Sequence, residues 1–228
     1  MSDFASVFQN LDWSVVTTAL LMVIPILICL TIHELSHGLV AYVLGDDTAK
    51  RAGRLTLNPI RHVDPLGFIM LLVARFGWAK PVPVNLSNLK NPRPGMALIS
   101  LAGPLSNFLL TALILLFQVP LIRLYSSGGI GHYAADAILL CSQISVILGI
   151  FNLLPIPPLD GSKILFSLLP DKQYILILRY ERYGMILMLI LILAGVFSGA
   201  LQQWGDTVWS WLFDATAGVS QFLFGAAL

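Results

Sequence analysis

The chain has 228 residues, of which 57% are hydrophobic and 11% charged, and its mean hydropathy is +0.84. A soluble domain carries roughly 25% charge, so these values exclude a soluble globular enzyme, a disordered chain and a nucleic-acid binder working through a basic patch. The net charge of +1 says little as a sum, but its distribution along the chain predicts a topology.

A bilayer core of about 30 Å takes about 20 helical residues to cross. Four uncharged stretches qualify, at 13–32, 97–122, 137–159 and 183–205. The first is predicted to run on helically to Leu44, giving a span over 13–44 with a kink at Pro25 and with His33 and Glu34 inside it. No basic n-region precedes it, and Asp3 and Asp12 stand there instead, so it is read as a retained span rather than a signal peptide. The apolar run Pro65–Ala74 is too short to span and is read as re-entrant or interfacial.

Lys and Arg split sharply by loop. Eight lie between the first and second spans, one (Arg123) between the second and third, and four between the third and fourth. The positive-inside rule then places both termini outside and the two basic loops in the cytosol. After the fourth span the tail holds Trp204, Trp209, Trp211, Phe213, Phe222 and Phe224 with no basic residue, and is read as an outer-face interfacial helix. The fold class expected is an α-helical polytopic membrane protein of about four spans. Residues 1–200 would form one domain and 201–228 the interfacial aromatic helix. Within the 45–94 loop, Arg54–Leu57 has the pattern of a short strand. The run Pro81-Val82-Pro83-Val84-Asn85 is held extended by its prolines, an edge to which another extended peptide can add.

Polar groups inside the apolar runs carry the chemistry. His33-Glu34-Leu35-Ser36-His37 is H-E-x-x-H on a helix. The i, i+4 spacing puts both imidazoles on one face, where they can share a zinc ion, and Glu34 projects toward the water it would deprotonate. Charged groups are costly in a membrane helix, and a metal compensates them. A third protein ligand is then required. Asp160 is the best candidate, because it follows the third span at its cytosolic end, the depth at which the first span also ends; His62, His132 and Cys29 are alternatives, and Asp160 could also cap the helix after it. Asn152, at the end of the third span, is a candidate donor to a scissile carbonyl or its oxyanion. Asn107, among small residues in the second span, is read as a substrate contact, with close helix packing as the alternative.

These motifs, HELSH at 33–37, GPLSN at 103–107 and NLLPIPPLDG at 152–161, resemble the site-2 protease family of intramembrane zinc metalloproteases. The stretches 45–49, GRLTLNP (53–59), HVDP (62–65) and FGWAKPVPVN (76–85) are similar to its compact bacterial and archaeal branch, which lacks a PDZ domain. The resemblance implies one zinc per chain on His33, His37 and Asp160, with Glu34 as general base. It implies cleavage of a peptide bond in or beside a transmembrane helix of a membrane-protein substrate, with Asn152 helping to position it. It also implies that Pro81, Val82, Pro83, Val84 and Asn85 belong to a membrane-associated β-hairpin that can pair with an unwound substrate segment. A metal transporter and an inactive homologue that binds membrane proteins are the competing readings; in a transporter Glu34 could itself be a required ligand.

Overall fold

A computed structural model of the chain describes residues 13–74, 77–170, 183–184, 186–192 and 194–225. Arg75, Lys172, Arg179 and Arg182 of the charge pattern lie outside the described residues. The helices in chain order are α1 (Trp13–Val43), α2 (Thr48–Arg51), α3 (Pro65–Ala74), α4 (Pro92–Leu115), α5 (Gln118–Ser126), α6 (Gly129–Asn152), α7 (Asp160–Phe166) and α8 (Ser198–Phe224), with a further helical stretch at 186–192.

Three described helices are long and apolar enough to cross a membrane: Met22–Val43 within α1, α4 and α6, with mean hydropathies of 1.7, 1.9 and 2.0. They pack on one another, and α4 lies against both α1 and α6. Buried positions on α4 recur every fourth residue: Gly95, Ile99, Gly103, Asn107, Thr111 and Leu115. The large side chains Leu101, Leu105, Leu109 and Leu113 form a second, exposed ridge. Small and polar groups inside with leucines outside is the inverse of a soluble helix, and it suits lipid as the solvent. Facing α4, α6 buries Cys141, Ser142, Ser145 and Gly149. Thr111 Oγ1 donates to the Ser142 carbonyl at 2.9 Å, and Ser145 Oγ to the Asn107 carbonyl at 2.9 Å. Hydroxyls on one helix thus bond to the other's backbone where the close approach of small residues permits it.

Several boundaries differ from the hydropathy reading. The second apolar stretch is not one helix to residue 122. Pro120 lacks an N–H and its ring conflicts with the carbonyl four residues earlier, so α4 stops at Leu115 and α5 restarts at Gln118. The fourth stretch, 183–205, is broken by turn residues 194–197, where Gly195 takes φ +70°. The aromatic tail accordingly begins earlier, in the 27-residue α8. That helix packs on α4, α5 and α6: Trp209 Nε1 donates to Ser142 Oγ at 2.8 Å, and Gln118 Nε2 to Thr216 Oγ1 at 3.1 Å.

In the loop after α1, the expected strand at 54–57 is absent, and among the described residues the only bridge is an isolated antiparallel one between Val63 and Ala79. The expected extended run does form over residues 79–85. It is held from both sides by side chains. The buried Arg54 guanidinium donates to the carbonyls of Lys80 and Pro81. The fully buried Asp46 accepts from the N–H of Asn85 at 2.7 Å and the amide of Asn88 at 2.7 Å. Asp46 is in place because α1 ends in a Schellman turn: Gly45 takes φ +106°, its N–H bonds the Tyr42 carbonyl, and the Asp46 N–H bonds that of Ala41. The ten-residue α3 fills the run that is too short to span.

Candidate metal centre

The helical repeat of α1 stacks His33 and His37, with ring centroids 4.6 Å apart and planes at 87°. Asp160 arrives 127 residues after His33, as the first residue of α7. Its Oδ2 lies 3.1 Å from Nε2 of His33 and 3.1 Å from Nε2 of His37, and the two Nε2 atoms are 3.0 Å apart. All three side chains are buried. Glycines make the approach possible. A Cβ at Gly103 would sit 2.4 Å from His37 Nε2 and 2.6 Å from His33 Cε1, and one at Gly161 would sit 2.1 Å from the Leu153 carbonyl oxygen.

This donor set fits zinc. Tetrahedral bonds of 2.0–2.2 Å separate ligand atoms by about 3.3 Å, close to the triangle edges of 3.0–3.1 Å. Two imidazole nitrogens and one carboxylate oxygen are a hydrolytic donor set with a fourth position left open. Among the described residues, the only group of three or more such side chains close enough to hold a metal ion is His33, His37 and Asp160.

The triad opens into a cavity of about 340 Å³, lined also by Glu34, Pro81, Val82, Val84, Asn152 and Lys163. Glu34 is not part of the three-ligand cluster; its Oε2 accepts the Val82 N–H at 2.9 Å. Pro81, Pro83 and Asn85 are exposed while Val82 is buried. Asn152 closes α6 at the cavity wall, its Nδ2 on the Leu148 carbonyl at 2.9 Å. Asn107 stands behind His33, fully buried, with Nδ2 3.2 Å from His33 Nδ1. The alternative ligands are elsewhere. His62 bonds the Thr56 carbonyl at 2.9 Å and lines a different cavity. The His132 ring packs on Tyr125 with centroids 4.0 Å apart. Cys29 pairs with Cys141, Sγ to Sγ 3.6 Å.

Sequence reading did not find three participants. Lys163 lines the cavity one helical turn after Asp160, a spacing that could have flagged it. Asp46 is the first of two adjacent carboxylates just past an apolar helix, and its place there is a usable signal. The Ile99 carbonyl, 2.6 Å from His37 Nδ1, leaves no trace in a side-chain pattern.

Residues 122–195 match the sequence model of peptidase family M50. A Bacillus subtilis (strain 168) protein named "Putative zinc metalloprotease YwhC" is 45% identical over 75% of this chain and 78% of its own length. Two mycobacterial proteins named "Putative zinc metalloprotease Rip2" also match. The one from Mycolicibacterium smegmatis is 30% identical over 93% of this chain and 80% of its length, and the one from Mycobacterium tuberculosis (strain H37Rv) is 34% identical over 88% and 75%. No solved structure matches the chain. With zinc-type ligands converging in a membrane-helix bundle and relatives of this extent, the chain belongs to the site-2 protease family, peptidase family M50.

Proposed function

We propose that the chain is an intramembrane zinc endopeptidase that hydrolyses a peptide bond in or beside a transmembrane helix of a membrane-protein substrate. The observation that carries this reading is the separation of roles at one cavity. His33, His37 and Asp160 bring three ligand atoms together, while Glu34 lines the same space outside that cluster. A transport site has no need of a carboxylate kept apart in this way, so the arrangement favours hydrolysis.

In this mechanism His33 Nε2, His37 Nε2 and Asp160 Oδ2 hold zinc. Bound there, zinc would supply Lewis-acid polarisation of the scissile carbonyl and lower the pKa of water toward about 7. Glu34 takes the proton of the attacking water on its carboxylate and returns it to the leaving amine. Its Oε2 is engaged by the Val82 N–H, which leaves Oε1 to receive that proton. Asn152 positions the substrate or donates to the developing oxyanion. A helix hides its carbonyls in its own hydrogen bonds, so the substrate must unwind before it reaches the cavity. The Pro81–Asn85 run offers an extended partner: Val82 and Val84 face the cavity, and the prolines leave few N–H groups on the outer edge. The basic-loop distribution orients the cavity toward the cytosol, with both termini outside.

The test is Glu34→Gln in the full chain, assayed on a membrane-protein substrate beside zinc content. Cleavage is expected to fall about 10²–10⁴-fold while zinc stays bound. Retained cleavage would remove Glu34 from the role of base, and lost zinc would make it a ligand.

A further inference from the structure

His33 and His37 each have a second nitrogen, and both of these face α4. His37 Nδ1 lies 2.6 Å from the Ile99 carbonyl oxygen. A carbonyl only accepts, so His37 carries its proton on Nδ1 and leaves the Nε2 lone pair for the metal site. His33 Nδ1 meets the Asn107 side chain at 3.2 Å. In the structure the amide nitrogen faces His33, while Asn107 Oδ1 is one of four buried side-chain atoms with no hydrogen-bond partner among the described residues. The nitrogen and oxygen of an amide are interchanged by a half-turn. If His33 Nε2 is a metal ligand, Nδ1 must bear the proton and requires an acceptor, which only the oxygen can be. Either orientation leaves one amide atom unpartnered, so the tautomer of His33 decides between them.

We infer that Asn107 is the positioning residue for His33, accepting its Nδ1–H through Oδ1 and so fixing both ring orientation and tautomer. This rests on the metal-site reading above. The spacing supports it independently. His33 and His37 are four apart on α1, while Ile99, Gly103 and Asn107 are four apart on α4 and lie on one buried ridge. His33 meets Asn107 and His37 meets Ile99, and between them Gly103 has no side chain, because a Cβ would strike both rings. One face of α4 thus carries an acceptor, a gap and an acceptor in register with the two imidazoles. Asn107 itself is anchored from behind, since its main-chain carbonyl accepts Ser145 Oγ from α6. The GPLSN segment thereby acquires a role in the metal site rather than at the substrate.

Outer partners of ligating histidines change metal affinity about 10–100-fold. The experiment measures zinc affinity of the full chain in mild detergent against a competing chelator, for the parent, Asn107→Leu, Asn107→Asp and His37→Ala. Asn107→Leu removes the acceptor at similar volume and is expected to weaken zinc binding by about 10–100-fold, whereas Asn107→Asp keeps an acceptor and should stay close to the parent. Equal affinity in the leucine variant and the parent, or an aspartate variant as weak as the leucine one, overturns the inference. If His37→Ala also binds zinc like the parent, the metal site itself is misplaced, and both readings fall. Should Asn107→Leu not fold, ¹H–¹⁵N histidine spectra of the zinc-loaded parent decide, with His62→Gln and His132→Gln to assign signals. A His33 Nδ1–H proton shifted downfield and protected from solvent exchange, with a coupling to the Asn107 side chain, is the expected result; a His33 Nδ1–H that exchanges freely and shows no such coupling overturns the inference while leaving the metal site standing.

Discussion

The HELSH segment presents two unlike sides. On one, His33 and His37 are buried against α4, with a backbone carbonyl, a buried amide and a glycine gap behind them. On the other, Glu34 faces a cavity and accepts the Val82 N–H of an extended run that is held by loop side chains. The first side is built from regular helices packed through small residues, which suits ligands that must not move. The second is built from prolines, turns and a buried carboxylate, which suits a surface that must admit a peptide. Under the proposed function, ligand geometry and substrate access are governed by different parts of the chain and should separate under mutation.

The sharpest way to break that comparison is Asp160→Ala. Loss of one of three ligands should take zinc content from about one per chain to near none, while the α1–α4–α6 packing persists. Zinc counted by elemental analysis beside a helicity measurement checks this, and a fully loaded variant would place the third ligand elsewhere. Next is Gly103→Ala, whose added methyl meets His37 Nε2 at 2.4 Å. Overpacking of this kind costs about 1–3 kcal/mol, and it should also lower zinc affinity, because the imidazoles have to move. Thermal unfolding in detergent, with and without zinc, reads both effects.

The access side is tested by Asp46→Asn. Asp46 is buried, which raises its carboxyl, but bonds from Thr48, Asn85 and Asn88 outweigh this and hold it below the ordinary carboxylate value. A depressed folded value means the contribution to stability is present above the unfolded pKa of about 3.9 and is lost as pH falls through the folded one. The variant should lose about 1–3 kcal/mol near neutral pH and show a shallower decline in acid than the parent. It should keep its zinc but cleave substrate more slowly. Equal acid limbs in melting curves of the two proteins would contradict the assignment. The smallest effect is expected from Arg51→Ala. Its ion pair with Asp47, at 2.8 Å, is exposed on both partners and should be worth under about 0.5 kcal/mol, with zinc and cleavage unchanged.

Much of the centre was legible beforehand because its signals are local or compositional. The i, i+4 spacing of His33 and His37 is a property of any helix, and the position of Asp160 beyond an apolar run set its depth. The extended character of Pro81–Asn85 follows from proline sterics. Helix ends were less legible. A hydropathy window sees no difference between Leu115 and Pro120 in an uncharged run, yet the missing N–H of Pro120 divides it. The same blindness joined 183–205 across Gly195. The strand expected at 54–57 did not form, because alternation over four residues does not supply a partner strand.

By itself, then, the sequence determined that this is a membrane-helix protein with a zinc-type H-E-x-x-H, a candidate third ligand far along the chain and an extended segment between them. Each of these follows from side-chain chemistry at fixed spacing. Only the tertiary structure decided what stands behind and before the histidines: Asn107 and the Ile99 carbonyl on one side, the Val82 N–H on Glu34 on the other. These are hydrogen bonds between segments dozens of residues apart, made partly by backbone atoms that every residue possesses. Nothing in the order of side chains distinguishes one such carbonyl from its neighbours until helix packing brings it to 2.6 Å from an imidazole.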